Sequence, residues 1–327
     1  MRAVVLLLVT AFTAIAAFPA DAGGGVSSLR ELQWLAPDSD RVQALTTMRA
    51  ECFGAPSGSG DADAAAAGRI VFRSPLLLGG PAAHNRMSCQ TCHVNGHDNP
   101  DFHIQGLSGA PGTADVTSKL FSKTRGDGVF NPLPIPSLLH ISRIERPGEP
   151  DRIPGLEVFV HGVIVDEFQG ARPARTVFDA LLAYVLALDQ EACPEPLVVP
   201  LRLGDDLDLI RGGAVSVEAA IQRRDTALAD FLLISLRDLL GQVKERFELP
   251  GLENPRAILA DLSHALGGLR DTLATMPAEA AIQAWRLRLD AAEPELRMFE
   301  SRSLYEPDLV RMRLSEGRTA DPGGPDA

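Results

Sequence analysis

Residues 87–103 read MSCQTCHVNGHDNPDFH. Cys89, Cys92 and His93 stand at i, i+3 and i+4, which places all three on one face of a helical turn. Two thiols and an imidazole so arranged suit three kinds of chemistry. A redox dithiol of the thioredoxin type sits where a strand enters the helix of a βαβ unit, and the Gly- and Pro-rich surroundings hold no such unit. A structural zinc takes four ligands, usually as two close pairs, and Cys52 and Cys193 are too far apart in sequence to form a second pair. The third is c-type haem attachment, in which both thiols add to the vinyl groups and the histidine reaches the iron. The spacing predicts one covalent haem on Cys89 and Cys92, with His93 as an axial ligand.

The other axial position decides between electron transfer and an open iron. No methionine lies between His93 and residue 195, and Met87 is too close to Cys89 to cross the haem plane. Met276, Met298 and Met312 read as core fillers of the C-terminal half. His103, in the loop NPDFHIQGLSG, leads as sixth ligand. His140, His161 and an iron with no protein sixth ligand stay open beside it. His97 is expected at the haem edge, exposed.

Several elements must position this motif. The first residues, MRAVVLLLVTAFTAIAAFPADA, have a charged start, an apolar stretch and an A-x-A site, so export with cleavage near Ala22 is expected. Export places the chain in an oxidising compartment, where the two remaining cysteines, Cys52 and Cys193, are expected to pair. Residues 23–66 read as a linker with one short helix, in DSDRVQALTTMRAEC. Residues 67–195 form a loop-rich region around the motif. Residues 200–315 change to long amphipathic patterns, and 316–327 read as a disordered tail. In the C-terminal half a stripe of Val217, Ile221, Leu228, Leu232, Leu239 and Val243 predicts a helix over 216–247. A second helix, N-capped by Asn254 with Pro255 in its first turn, buries Ile258, Leu262, Leu266, Leu269 and Leu273. A third begins at Pro277 and presents Ile282, Trp285, Leu289 and Leu296, with a bend at Pro294. The fold class expected is all-α: a cytochrome c-type haem domain followed by a helical bundle. With 31 basic and 43 acidic side chains, the net charge of −12 argues against a nucleic-acid partner and would suit a basic partner protein without naming one. The partner expected with the haem is a redox protein or a small electron donor.

GRIVFRSPLLLGGPAAHNRMSCQTCH resembles the opening of the N-terminal haem domain of the bacterial di-haem cytochrome c peroxidase and methylamine-utilisation family. NPLPIPSLLHI is similar to the segment that follows the first haem there, and FVHGVIVDEF with DALLAYVLALD to the closing helices. The likeness covers residues 67–190, and since this chain has a single CxxCH where the family has two, the resemblance implies a mono-haem member. The resemblance implies a distal Gln, Pro and Glu, matched in order by Gln169, Pro173 and Asp179. From the residues alone, Thr176-x-x-Asp179 also reads as a capping box, and Glu167 is an alternative proton carrier. Two functions follow as expectations. One is a periplasmic electron-transfer cytochrome; the other is a peroxidase-like oxidoreductase taking electrons from an external donor.

Overall fold

Helix α1 (Arg41–Thr46) starts at Asp40, whose carboxylate accepts from the Gln43 amide at 3.0 Å, and runs directly into strand β1 (Thr47–Arg49). The structure is a computed structural model that describes residues 29–54, 58–120, 122, 124–139, 141, 155–274 and 278–319. The export segment, His140, Met276 and the tail from residue 320 lie outside the described residues. Helix α2 (Ser59–Phe72) begins ahead of the edge expected at residue 67. Four successive alanines favour the helix, and Gly68 decides what packs on it. A Cβ there would stand 1.8 Å from the Ala180 carbonyl oxygen, so only glycine lets the two backbones meet.

The short helices α3 (Pro75–Leu78), α4 (Gly80–His84) and α5 (Cys89–Cys92) follow, the first two started by prolines. Strands β2 (Thr113–Ala114) and β3 (Leu133–Pro134) pair antiparallel and tie the long loop after the motif into a ring. Helix α6 (Leu156–Gly162) passes into a π-helical turn over Val163–Glu167. Helix α7 (Arg175–Ala187) then lies across α2, with the Phe72 and Tyr184 rings 5.1 Å apart. Its first residues do not form the expected capping box. Ala174 precedes the helix, and Asp179 bonds Arg175 one turn back. Strand β4 (Val198–Pro200) pairs antiparallel with β1, Thr47 opposite Pro200. Beside this ribbon Cys52 and Cys193 form the expected disulfide, with Cα atoms 4.1 Å apart.

The C-terminal half is helical, as expected, but its first helix is two. Helices α8 (Leu203–Gln222) and α9 (Thr226–Glu245) are separated by a turn in which Arg224 is left-handed (φ 59°) and Asp225 caps α9 through Leu228 N–H. A stripe spaced by sevens passes over such a break unchanged, because two antiparallel helices can bury the same set. In α10 (Glu253–Asp271) Asn254 is not the cap; it lies inside the first turn and its amide donates to Glu295. The buried row there begins at Pro255 and continues through Leu259, and Ile258 is only partly covered. Helix α11 (Ala278–Met298) continues through Pro294 and buries Ile282, Trp285, Leu289 and Leu296. The Trp285 indole donates to Leu262 O at 2.9 Å, joining it to α10. Met298 and Met312, expected in the core, are 69% and 44% exposed. Helix α12 (Pro307–Thr319) runs into what was expected to be the disordered tail.

Most of these elements rest on one large apolar core. It extends from Ile70, Phe72 and Tyr184 through Leu207, Ile210 and Leu236 to Leu266 and Trp285. Helices α8 and α9 lie against α2 and the residues that follow it: a Cβ on Gly213 would stand 3.0 Å from Ile70 Cδ1, and Ser235 Oγ, which donates to Phe231 O, accepts the Ser74 hydroxyl at 2.9 Å. The described residues are mostly helical, with two small two-stranded sheets among them, which fits the all-α expectation.

Candidate functional site

The α5 turn is organised before any ligand is considered. Ser88 is extended, its N–H donates to Thr91 Oγ1 at 3.1 Å, and Thr91 N–H returns to Ser88 O. The His93 N–H then closes on Cys89 O at 2.9 Å. This turn leaves Cys89 and Cys92 as free, half-buried thiols on one side of α5. Burial pushes both thiols up to about 12, with Cys89 and Glu167 adding to the effect at Cys92. A dithiol oxidoreductase needs the opposite, a thiolate stabilised well below the usual range.

His93 Nδ1 lies 3.0 Å from the Pro136 carbonyl oxygen. A carbonyl only accepts, so Nδ1 holds the proton and Nε2 keeps its lone pair for a metal. Burial holds the ring neutral, with its pKa lowered to about 4. The chain then turns back through Asn95 (φ 53°) and Gly96 (φ 86°). Asn95 anchors this turn inside a buried polar network. Its Oδ1 accepts from Arg73 and Gln90, and its Nδ2 donates to Arg49 O at 2.7 Å. Arg73 also binds Glu51, which accepts the Tyr184 hydroxyl at 2.6 Å. Burial works against the Glu51 charge, yet Arg73 and Arg69 still hold its pKa below the usual carboxylate range.

Against the motif lies a second, smaller apolar cluster of Trp34, Leu78, Ala82, Met87, Phe102 and Ile135, with Cys89, Cys92, Ile104 and Phe168 partly covered by it. Backbone bonds from Gly112 to Phe102, from Ile135 to Gly112 and from Leu138 to Gly96 hold its loops together.

Glu167 ends the π-helical turn and is 5% exposed. Burial raises its pKa to about 7 although Arg125 Nη1 sits 2.8 Å from Oε2. Ser122 and Thr124 hydroxyls both donate to Asp166 O and hold the Arg125 loop there. Gln169 follows in a left-handed conformation (φ 62°), half-buried, in a segment packed on Gly79 and Gly80. Pro173 is half-buried. Asp179 faces outward beside Arg175, which also binds Glu157. Thus Glu167 and Gln169 are brought to the loops around the motif, and Asp179 is engaged on the surface.

Among the candidate axial ligands, His103 is half-buried and its backbone N–H donates to Trp34 O at 2.9 Å. The His161 ring stands edge-on to Phe178 at 6.0 Å, and its Nε2 is buried without a partner among the described residues. His97 is not exposed: it is 3% accessible, because the turn at Asn95–Gly96 folds it inward against the Cys52 sulfur. Sequence reasoning missed Asn95, Arg73, Pro136 and Arg125. The Asn-Gly pair is a turn signal that could have marked the first; nothing local marks Arg125.

Comparison with family models, with curated proteins and with solved structures gives no match. No described helix is long and apolar enough to cross a membrane.

Proposed function

We propose that this chain is an exported mono-haem c-type cytochrome that acts in electron transfer, related to the N-terminal haem domain of the di-haem peroxidase family. The observation behind this reading is the division of labour within CxxCH. Among the described residues, Cys89, Cys92 and His93 do not gather their donor atoms at one point, as a zinc site would require. A haem instead takes two thiols at its edge and an imidazole at its centre. Cys89 and Cys92 would hold it through thioether bonds, and His93 Nε2 would supply a nitrogen ligand to its iron. The bound group supplies a one-electron iron couple.

The protein's own part is to set that couple. The Pro136 carbonyl orients His93 and makes it a better donor, and the Arg73–Asn95 network fixes the turn behind it. Trp34, Met87, Phe102 and Phe168 keep water from the motif's apolar side. The Cys52–Cys193 disulfide is compatible with export and with a periplasmic location.

The test is expression with the c-type maturation machinery and the alkaline pyridine haemochrome spectrum. One covalent haem per chain is expected, lost in Cys92→Ala. In His93→Ala the attached haem would lose its imidazole ligand, and a change of spin state is expected. A chain that emerges without covalent haem sinks the reading.

A second reading, peroxide reduction with electrons from an external donor, is favoured by one feature. Glu167 is a buried acid whose proton is exchangeable near neutral pH, and it lies near enough to influence Cys92. Steady turnover of peroxide with a reduced small donor, falling at least tenfold in Glu167→Gln, would select it over simple electron transfer.

A further inference from the structure

The disulfide has a neighbour that a mere staple does not need. His97 Nε2 lies 3.4 Å from Cys52 Sγ and 3.0 Å from Ala50 O. Cys52 is fully buried, Cys193 is half-buried, and the ligand atoms of Cys52, His97 and Cys193 all lie within 4.8 Å of one another. Among the described residues this is the only group of three such side chains that converges on a point.

We propose that Cys52, His97 and Cys193 form a binding site for a soft divalent cation of the zinc type, closed by the disulfide and opened by its reduction. One of the distances already suits the ion. Sulfur and imidazole nitrogen bound to one tetrahedral zinc, at about 2.3 and 2.0 Å, stand about 3.5 Å apart, close to the 3.4 Å already present, and the two sulfurs, once reduced, need to separate to about 3.8 Å. Two thiolates and one imidazole are a preferred zinc donor set, and the fourth position is left for water.

Opening requires a two-electron reductant, and a dithiol is the class that fits. Its thiolate attacks Cys193 Sγ, the more accessible sulfur; the S–S bond breaks and Cys52 leaves as a thiolate beside His97 Nε2–H. The second thiol then attacks the mixed disulfide, which releases Cys193 and leaves the reductant as a cyclic disulfide. The cation displaces the two thiol protons. His97 transfers its proton from Nε2 to Nδ1 and gives up the bond to Ala50 O. The proposal does not depend on the haem reading, although a haem on Cys89 and Cys92 leaves Cys52 and Cys193 as the only thiols.

The test uses the full chain. The protein is reduced with dithiothreitol, freed of it by anaerobic gel filtration, equilibrated with micromolar Zn2+, and its bound zinc measured by atomic emission. One zinc per chain is expected after reduction and none before it. Binding should weaken at least tenfold in His97→Ala and be lost in Cys193→Ser, with far-UV circular dichroism unchanged. Should His97→Ala unfold, His97→Gln replaces it, since its amide can still donate to Ala50 O. Reduced wild-type protein that binds no more zinc than the oxidised form overturns the proposal, and so does a folded His97 variant that binds as tightly as wild type. A thiol count before reduction reports separately on Cys89 and Cys92. If both are free, the experiment is run in the Cys89→Ala/Cys92→Ala background, where zinc binding that vanishes refutes the site.

Discussion

Glu167 is an acid that the fold prefers protonated. Its carboxyl is buried, and the Arg125 guanidinium at 2.8 Å only partly offsets the lost hydration, which leaves the pKa at about 7. In the unfolded chain the same group titrates near 4.3. Between these values the folded state binds the extra proton, so stability is greatest below the unfolded value and falls as pH rises to about 7. The amount tied to this one group is on the order of 4 kcal/mol. Denaturant midpoints measured from pH 4.5 to 8 should fall more steeply in wild type than in Glu167→Gln. Parallel curves for the two proteins would show that Glu167 is not held as described. The same contrast separates Glu167 from Asp179, whose outward pair with Arg175 is of the exposed kind that contributes little.

At the scale of elements the decisive contact is the crossing of α2 and α7. Gly68 is there to let backbones touch, since any Cβ would overlap the Ala180 carbonyl. Gly68→Ala must therefore push the helices apart and loosen Phe72 against Tyr184, and with them the Arg73–Asn95 network that holds the turn after His93. A loss of about 3 kcal/mol or more is expected, read from thermal or urea unfolding. Gly212→Ala, where the added methyl meets open space, is the control and should be near neutral or slightly stabilising. An equal effect of both substitutions would mean that the crossing is not close-packed.

For the whole molecule the point is that the two halves share a core. The motif region and the helical half read as separate regions in sequence, with a compositional change near residue 200. In three dimensions Leu207, Ile210 and Leu236 belong to the same buried cluster as Ile70 and Phe72, and Arg30 reaches across to Asp238 and Glu245. Truncation after Pro200 therefore exposes one wall of the core. The shortened chain should lose its cooperative unfolding transition and aggregate; a soluble fragment with a sharp transition would show that the first half is self-sufficient. The disulfide acts at the same scale, closing 141 residues of separation. A loop of that length constrains the unfolded chain by about 5 kcal/mol in the chain-entropy account.

The sequence by itself determined the pairing of Cys52 with Cys193 and the helical character of the C-terminal half, and it is the source of the haem proposal for Cys89, Cys92 and His93. These are local or arithmetic properties: a four-residue spacing, a count of leftover cysteines, and a period of hydrophobicity. It did not determine where α8 ends and α9 begins, because two antiparallel helices can share the stripe of one long helix, and only Arg224 and Asp225 mark the reversal. It did not separate Glu167 from Asp179, since burial is set by what packs on a residue and not by its neighbours in the chain. It placed His97 at an exposed edge, whereas the left-handed turn at Asn95 and Gly96 folds it onto Cys52. Those outcomes belong to tertiary structure, where contacts between residues far apart in sequence decide which polar groups lose their water and which donor atoms meet.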